Sequence, residues 1–364
     1  MKEKNLIIFM PTINHGGGVE KNFFIISNYL STKLQKISVI TLSKSVRKKL
    51  NRKIKVICPK IGLIENFGRR AKFLISMIFL FKEVIKNKNS TVLCFQGIIY
   101  CTLLCKLTRT RIIIRSNSSP SGWSKNFFKK FLYKKIYGLA DKIIVNSLSF
   151  QKEMNYKFNL KSICIYNPLN IKEIYEYSKK KIKINFFKKK SINIICVARL
   201  SDQKDHSCLI ESINILKNHH DIRLILLGSG PLKNKITSSI KNLKLTKNIK
   251  IIGFKKNPYP YISKSDLLIL SSKYEGLPNV LLEAIALKKF VISSDCPTGP
   301  REILDYGKGG ELFKVGDHLT LSSKIKFFIK NKKNINSKKI YAFKRLKRFN
   351  FKSRLIDYYN EIQN

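Results

Sequence analysis

Two glutamates stand at positions that suit a ligand with hydroxyl and phosphate groups. Glu275 and Glu283 lie eight residues apart around a Gly-Leu-Pro turn, in a chain with only 22 acidic residues. Pro278 favours the first turn of a helix, which we expect to span Pro278–Lys289 with its N-terminus facing a phosphate. Glu283 would then lie on an apolar helix, where a carboxylate needs hydrogen-bond donors such as ligand hydroxyls. The alternative is that both glutamates are ordinary capping or solvated residues.

Arg199 and Lys204 follow the first apolar run of the second half of the chain, Asn193–Ala198. The fork of an arginine together with the point charge of a lysine suits a diphosphate. Two cations in one loop mean little in a chain with 72 lysines and arginines. Their position at the end of an expected strand distinguishes them, because open α/β sheets bind ligands there.

Glycines that end apolar runs form a third set of candidates. Without a side chain, a glycine lets the backbone approach a phosphate or a base closely. A plain structural turn into the next helix is the alternative for each of them. The set comprises Gly17 and Gly18, which precede a helix expected to start near Glu20, together with Gly228 and the Gly253-Phe254 pair.

Two series of apolar runs, separated by helical stretches, predict two doubly wound α/β domains that face each other. The series meet at Tyr166–Asn170, which contains a proline and is interpreted as a linker. We therefore expect domains over residues 1–168 and 169–341, with the ligand site in the cleft between them. The expected strands are Leu6–Met10, Ile37–Leu42, Lys55–Cys58, Thr91–Gln96, Arg111–Arg115, Lys142–Asn146, Asn193–Ala198, Arg223–Leu227, Lys250–Gly253, Leu267–Ser271 and Phe290–Ser293.

The formal net charge of +50 favours nucleic acid, an anionic membrane surface or acidic substrates as partners. Lysine supplies 59 of the 72 basic residues and alanine occurs 6 times, a composition that AT-rich codons would also produce. The lysines are spread along the whole chain and no nucleic-acid-binding module is evident in the sequence. We therefore expect no nucleic-acid partner, although a basic nucleic-acid-binding protein remains an alternative.

Cysteine, histidine and hydropathy patterns argue against other kinds of site. The eight cysteines form no Cys-x-x-Cys pair and the five histidines show no metal-ligand spacing, so we expect free thiols and no zinc site. The apolar run Phe73–Phe81 is too short to span a membrane. The run after Lys2 and Lys4 is interpreted as a first strand rather than a signal peptide.

Taken together, these residues resemble the retaining glycosyltransferases of family 4, which have the GT-B fold of two facing Rossmann-like domains. The resemblance covers essentially the whole chain and is strongest over Ile192–Leu304. Within the family, the chain is similar to enzymes that build bacterial capsule, lipopolysaccharide, other surface polysaccharides or lipid-linked oligosaccharides. The ordered set that supports it is Gly17–Glu20, Arg199 with Lys204, Gly253, Ser265-Asp266, Glu275 with Glu283, and the loop Cys296–Leu304.

The resemblance implies a role for each candidate. Arg199 and Lys204 would hold the diphosphate of a nucleotide-sugar, and Glu283 would bind the ribose hydroxyls. Glu275 would contact the transferred sugar and counts with the two cations among the catalytic residues. The other donor-site residues would be Gly17, Gly18, Gly228, Gly253, Phe254, Gly276 and Leu277. Within residues 342–364, the segment Ala342–Ile362 would be a helix that packs on the N-terminal domain.

The implied reaction is a metal-independent hexosyl transfer with retention of configuration. Negative charge grows on the leaving nucleoside diphosphate, and enzymes often meet it with a metal held by Asp-x-Asp, which this sequence lacks. Two cations and a helix N-terminus can stabilise the same charge, so we expect neither a metal nor another cofactor. A front-face route, in which the leaving phosphate helps to deprotonate the acceptor, needs no protein nucleophile.

The acceptor side departs from the family. Many members have a histidine after a strand of the first domain, whereas the corresponding loop here, Arg115–Pro120, has none. Asn117 and His15 are the remaining acceptor-site candidates. We expect a lipid-linked or polysaccharide acceptor and a UDP-linked hexose or N-acetylhexosamine donor. A soluble sugar-synthesising enzyme with the same fold is the alternative, whereas the Glu275–Glu283 pair argues against a phosphorylase or a non-hydrolysing epimerase.

Two segments combine aromatic and basic residues in a helical pattern, Trp123–Tyr137 and Arg69–Lys88. Each suits a helix at a membrane interface as well as it suits a core-facing helix with a solvated lysine face. Because a lipid-linked acceptor would make a membrane-binding surface useful, we expect peripheral attachment to the cytoplasmic face of the bacterial inner membrane.

Overall fold

The computed structural model describes residues 5–13, 17–59, 68–117 and 126–364. The chain divides into two compact units: Met1–Pro168 together with Phe351–Asn364, hereafter unit 1, and Leu169–Asn350, hereafter unit 2. The first boundary falls within Tyr166–Asn170. Tyr166, Asn167 and Leu169 are buried there, so this connection is part of the packed structure.

Unit 1 is built on a parallel sheet with the strand order β3-β2-β1-β4-β5-β6-β7. Its strands are rich in isoleucine and valine, which suit strands that are buried on both faces. They are β1 Asn5–Phe9, β2 Ile37–Ile40, β3 Lys55–Ile57, β4 Ser90–Cys94, β5 Arg111–Arg115, β6 Lys142–Val145 and β7 Ile163–Cys164. The α-helices are α1 Gly18–Leu30, α2 Arg69–Lys86, α3 Ile98–Leu107, α4 Phe127–Gly138, α5 Leu148–Lys152 and α14 Phe351–Gln363.

The helices of unit 1 form two layers, one on each face of the sheet. Alternating side chains of β1 point to opposite faces, and they enter different cores. Leu6 and Ile8 pack with Phe23 of α1 and Tyr358 of α14. Ile7 and Phe9 pack in a second core with side chains from α2, α3, α4 and α5.

Unit 2 is a second parallel sheet, with the strand order β10-β9-β8-β11-β12-β13. The strands are β8 Ile192–Val197, β9 Ile222–Leu227, β10 Ile249–Ile251, β11 Leu267–Leu270, β12 Phe290–Ser294 and β13 Glu311–Phe313. The α-helices are α6 Ile171–Ser178, α7 His206–Leu216, α8 Lys233–Asn242, α9 Tyr259–Ser263, α10 Asn279–Ala286, α11 Pro300–Ile303, α12 His318–Lys330 and α13 Lys332–Arg345. In both units β-α-β connections place neighbouring strands in parallel, so all the strand ends that precede helices lie at one edge of each sheet.

All eleven expected strands are present, with ends that differ by at most two residues. Two further strands, β7 and β13, were not expected. They are two and three residues long and lie at the edges of their sheets.

Two expected helices have different bounds. The helix expected over Pro278–Lys289 is α10, Asn279–Ala286, and it ends early because Lys288 adopts a left-handed conformation with φ 57°. The segment Ala342–Ile362 is not one helix. α13 continues to Arg345, a 3-10 turn follows, and Asn350 forms a bridge with Leu169 before α14 begins.

The eight cysteines all lie in the described ranges and all are free thiols. Within those ranges, the helices are too short or too polar to cross a bilayer.

Candidate active site

The polar candidates of unit 2 gather where neighbouring strands end. Arg199 and Lys204 follow β8, and Glu275 follows β11, the strand beside it in the sheet. Gly228 follows β9, on the other side of β8. Because parallel strands present their carboxyl ends at one edge, three loops from different parts of the chain meet there.

Glu275 and Lys204 form a buried ion pair. Lys204 Nζ donates a hydrogen bond to Glu275 Oε1, and the hydroxyl of Ser272 donates to the same oxygen at 2.5 Å. The Lys204 side chain is 17% exposed and that of Glu275 is 9% exposed. The sequence placed both residues at strand ends, and the structure brings them into direct contact.

Three hydrogen bonds fix the loop after β8 to the loop after β11. The side-chain amide of Gln203 donates to the carbonyl of Tyr274, and the amide of Lys273 donates to the carbonyl of Gln203, each at 2.8 Å. The hydroxyl of Ser271 donates to the carbonyl of Lys204 at 2.8 Å. The backbone on both sides of the ion pair is therefore held in place before any ligand binds.

The loop after β12 closes on the same residues. The hydroxyl of Ser294 donates to the carbonyl of Ser272 at 2.6 Å, and that of Thr298 donates to the carbonyl of Gly276 at 3.2 Å. Gly299 has φ 83°, and a Cβ there would lie 2.2 Å from the carbonyl oxygen of Gly276. Glycine is therefore required at position 299 both by its backbone conformation and by the close approach of the two loops.

Gly228 has a structural reason to be glycine. A Cβ at this position would lie 1.9 Å from the carbonyl oxygen of Ala198, because the loops after β8 and β9 pack backbone against backbone. The amide of Leu200 donates to the carbonyl of Ser229 at 3.0 Å and extends this contact. The simple structural explanation therefore accounts for this glycine.

The Gly253-Phe254 pair is different. Gly253 has φ 72°, in the left-handed region, but a Cβ there would have no atom within 4 Å. Phe254 is 40% exposed. The open space beside Gly253 and the exposed ring leave room for a planar group.

Arg199 and Lys204 have different surroundings although they share a loop. Arg199 is exposed, and within the described ranges its guanidinium has neither a hydrogen bond nor an ion-pair partner. Lys204 is held by Glu275. The loop therefore combines one exposed, available cation with one positioned cation.

Glu283 lies inside α10, as expected, and Leu277, which precedes the helix, is also buried. Glu283 is 7% exposed, and the hydroxyl of the buried Tyr259 donates to its Oε1 at 3.4 Å. Tyr259 is on α9, which packs against α10. A buried carboxylate on an apolar helix thus has a polar neighbour from another element.

A histidine that the sequence did not single out lies beside the ion pair. His206 begins α7, is 3% exposed, and its Nδ1 has no hydrogen-bond partner among the described residues. Burial, together with the charge of Lys204, lowers the pKa of His206 to about 4. Burial also raises the pKa of the Cys196 and Cys296 thiols to about 12, so neither provides a thiolate at neutral pH.

In unit 1, Asn117 follows β5 and belongs to a buried polar network. Its amide donates to the carbonyl of Phe95 at 3.2 Å, and its Oδ1 accepts a hydrogen bond from Arg115 Nη1. Arg115 is fully buried, and its Nε and Nη2 donate to the hydroxyl of Tyr358 and to Oδ1 of Asn167, each at 2.7 Å. Its hydrogen-bond partners in the described ranges are all neutral, so a buried positive charge holds Asn117 in place.

Gly17 is the N-cap of α1, and its amide donates to Oε2 of Glu20 at 3.1 Å. Its φ of −73° suits any residue, and a Cβ would have its nearest contact at 4.0 Å. Unlike Gly228, it is not required by the fold to be glycine. Gly18 is the exposed first residue of α1. His15 lies outside the described residues.

Among the described residues, no group of three or more histidines, cysteines, aspartates or glutamates is arranged to hold a metal ion.

Known proteins resemble this chain over one or both units. Residues 178–345 match the family described as "Glycosyl transferases group 1". A Campylobacter jejuni protein named N-acetylgalactosamine-N,N'-diacetylbacillosaminyl-diphospho-undecaprenol 4-alpha-N-acetylgalactosaminyltransferase is 30% identical over 260 residues, which are 69% of each chain. The amylovoran biosynthesis glycosyltransferase AmsD of Erwinia amylovora is 26% identical over 308 residues, 82% of this chain and 83% of its own.

Among solved structures, the Anabaena protein HepE in complex with UDP and glucose matches with a TM-score of 0.82 at 16% identity, covering 99% of each chain. At that identity the likeness shows the fold, which is GT-B. Together with the 30% identity to the Campylobacter jejuni enzyme over two thirds of both chains, this places the protein among glycosyl-transferring enzymes. The chain belongs to the group 1 glycosyltransferases.

Proposed function

We propose that this glycosyltransferase moves a hexose or an N-acetylhexosamine from a UDP-linked donor to a lipid-linked or polysaccharide acceptor in the synthesis of a bacterial cell-surface glycan. We further propose that it retains the anomeric configuration, as in family 4. The observation that supports the proposal most is the Lys204–Glu275 ion pair beside the available guanidinium of Arg199. The names of the relatives agree, since they refer to a diphospho-undecaprenol acceptor and to amylovoran biosynthesis, and HepE is bound to UDP and glucose.

The cations suit the leaving group. Negative charge grows on the diphosphate as the bond to the sugar breaks, and preorganised positive groups stabilise that charge without rearranging during the reaction. Lys204 is fixed by its ion pair and by the hydrogen bond from Ser271 to its carbonyl. Arg199 offers a planar fork that matches phosphate oxygens. These two side chains supply positive charge from the protein, so the proposal includes transfer without a metal ion or another cofactor.

The two glutamates suit hydroxyl groups. Both hydrogen bonds to Glu275 use Oε1, which leaves Oε2 as an acceptor for a hydroxyl of the donor sugar. Glu283 has Tyr259 at one oxygen and, in this proposal, binds the ribose hydroxyls. Gly276 and Leu277 adjoin Glu275, and their backbone contributes to the same part of the site. The open space at Gly253, with the exposed Phe254, suits the uracil base.

The assignment of Gly17 and Gly18 to ligand contact explains a glycine that the fold does not require. A Cβ at position 17 would meet no atom of the described residues closer than 4.0 Å. The amides at the start of α1 and the positive end of the helix dipole suit an anionic group. For the acceptor we assign Asn117, whose amide Arg115 positions, and His15.

The proposed location is the cytoplasmic face of the bacterial plasma membrane, with peripheral attachment. A lipid-linked acceptor would be presented there, and the positive charge of the chain favours an anionic lipid surface.

The test of the donor site is ligand-dependent stability. A ligand that binds only the folded protein raises the free energy of unfolding by about 2.7 kcal/mol at a hundredfold excess over its Kd. We expect UDP or one UDP-sugar to raise the melting temperature in the presence of EDTA, and Arg199→Met and Glu283→Gln to remove most of that increase. Lys273→Met is the matched control, because this exposed cation lies beside the site but pairs with Asp202.

A panel of nucleotide-sugars without effect, or an equal loss in the Lys273 variant, would contradict the donor-site assignment. The product of transfer to an acceptor then tests the stereochemistry: an NMR spectrum that shows inversion of the anomeric centre would exclude the retaining mechanism.

A further inference from the structure

Three helices of unit 1 lie side by side on one face of its sheet. α3 contacts both α2 and α4. All three bury side chains in the same core, with Leu80 on α2, Cys101 on α3 and Tyr137 on α4. The opposite sides of these helices therefore point away from the sheet.

Those outer sides are apolar. The exposed apolar residues recur at i, i+4, i+7 and i+11 on α2, at i, i+3 and i+7 on α3, and at i, i+1, i+4 and i+5 on α4, so each set forms one stripe. Exposure reaches 86% at Leu107 and 83% at Phe127. Together they are called the α2–α4 face: Leu74, Ile78, Phe81, Ile85, Tyr100, Leu103, Leu107, Phe127, Phe128, Phe131 and Leu132.

The distribution of these residues is one-sided. Of the 21 large apolar side chains that are exposed in the described part of the chain, 11 belong to the α2–α4 face. The helices on the other face of the same sheet, α1 and α14, have one among their described residues, Ile356. Soluble monomers rarely expose large contiguous apolar patches, and such patches mark interaction sites.

The same three helices are strongly basic. They contain ten lysines and arginines and one acidic residue, Glu83. Glu83 is 9% exposed and is ion-paired with Lys55 at 3.1 Å, so it does not offset the surface charge. Lys82, Lys86 and Lys129 are exposed beside the apolar stripes.

The combination of exposed apolar and basic side chains indicates which kind of partner binds the α2–α4 face. A second copy of the chain would bring two basic faces together, because a symmetric dimer contacts itself through the same patch. Nucleic acid would match the charge but offers no hydrocarbon for aliphatic side chains. An anionic bilayer surface offers both charged headgroups and an acyl-chain boundary.

We infer that the α2–α4 face docks this protein on an anionic lipid surface. Its helices lie in the interface with their apolar stripes among the acyl chains and their lysines at the headgroups. Only the purpose of this binding rests on the proposed function, because docking on a membrane would place the enzyme next to a lipid-linked acceptor.

The experiment is cosedimentation of the full chain with vesicles. The test variant combines Leu74→Gln, Leu107→Gln and Phe128→Gln, one change on each helix, because glutamine keeps good helix propensity. We expect wild type to bind vesicles of equal parts phosphatidylcholine and phosphatidylglycerol at about 0.15 M salt. The test variant should bind at least about tenfold more weakly.

The matched control combines Leu319→Gln, Ile340→Gln and Ile356→Gln, three exposed apolar residues on other helices. It should bind as wild type does. Equal melting temperatures of both triple variants and wild type show that the fold is kept.

A second variant separates charge from apolar contact. Lys82→Gln, Lys86→Gln and Lys129→Gln together should weaken binding to anionic vesicles and leave the weak binding to pure phosphatidylcholine unchanged. Loss of binding to both kinds of vesicle to the same extent would overturn the inferred charge selection.

Three results would overturn the inference: no vesicle binding by wild type, equal loss in the control, or a dimer in light scattering that the test variant dissociates. The last result would show that a second copy covers the face. UDP binding separates this from the proposed function, because the test variant should keep it. Vesicle binding without any response to UDP-sugars would contradict the proposed function but would still support the inference that the α2–α4 face binds lipid.

Discussion

Glu275→Ala should destabilise unit 2 far more than the loss of a surface charge would. The change removes the carboxylate that accepts hydrogen bonds from Lys204 and Ser272. Lys204 then keeps its positive charge in surroundings where its side chain is only 17% exposed. An unpaired buried charge is the main cost, because water cannot fully solvate it.

The size of the effect follows from burial. Breaking a buried ion pair by removing one partner costs roughly 3–5 kcal/mol, and the partial exposure of Lys204 points to the lower end. The lost acceptor for Ser272 adds about 1 kcal/mol. A loss of about 4 kcal/mol in a unit of about 180 residues corresponds to a fall in Tm of roughly 8–16 °C.

The assay is differential scanning calorimetry of wild type, Glu275→Ala and Asp202→Ala. The control removes a salt bridge of the same loops, Lys273–Asp202, whose side chains are 40% and 82% exposed. Exposed pairs contribute at most about 1 kcal/mol, so its Tm should fall by less than about 4 °C. The double change Lys204→Met with Glu275→Met should recover stability relative to Glu275→Ala, because no lone charge remains. A Glu275→Ala transition that shifts no further than that of Asp202→Ala would refute the reasoning.

Three further changes should be measurable by denaturation. Gly228→Ala should prevent stable folding or lower the free energy of unfolding by more than about 3 kcal/mol, because the added Cβ would lie 1.9 Å from the Ala198 carbonyl oxygen. Urea titration measures this loss. Tyr358→Phe should cost about 1.5–3 kcal/mol in the same titration, because the buried Arg115 loses an acceptor at 2.7 Å. The pKa of His206 is lowered from 6.5 to about 4, so the unfolded chain binds a proton more readily than the folded protein does. The free energy of unfolding should therefore fall by up to about 3 kcal/mol as the pH drops from about 6.5 to 4. His206→Phe should remove this pH dependence in urea titrations across the same range.

The fold was predictable because buried parallel strands have a strong local signature. The run Arg111–Arg115, for example, has three consecutive isoleucines between helical stretches, and its bounds agree with the structure. Lys288 shows the limit of such reasoning. The apolar pattern of α10 runs on past Ala286, and only the backbone conformation at Lys288 shows that the helix has ended.

The site was predictable as a set of strand ends but not as a set of contacts. Lys204 and Glu275 are 71 residues apart, and their direct pairing depends on loop conformations that no spacing encodes. Arg115 and Tyr358 are 243 residues apart, and neither belongs to a recognisable motif. Contacts of this kind follow from the tertiary fold alone.

The space around two glycines and the exposure of two aromatic residues bear on alternatives that the sequence left open. Gly17 and Gly228 look alike in sequence, yet a Cβ would have its nearest contact at 4.0 Å in one and 1.9 Å in the other. The aromatic and basic pattern of α4 fitted a core-facing helix as well as an interfacial one. Phe127 and Phe128 are 83% and 76% exposed, so these aromatic residues do not form core.

The return of α14 to unit 1 has a consequence for the order of biosynthesis. Leu355, Tyr358 and Ile362 complete a core whose other members lie within the first 165 residues. Unit 2 is contiguous and is translated before α14, so it can fold on the ribosome while unit 1 still lacks a helix. At a synthesis rate of roughly 5–20 residues per second, many seconds pass between the synthesis of Arg115 and that of Tyr358, whose hydroxyl accepts its hydrogen bond. Unit 1, although its first residues are translated before unit 2, is therefore completed after unit 2.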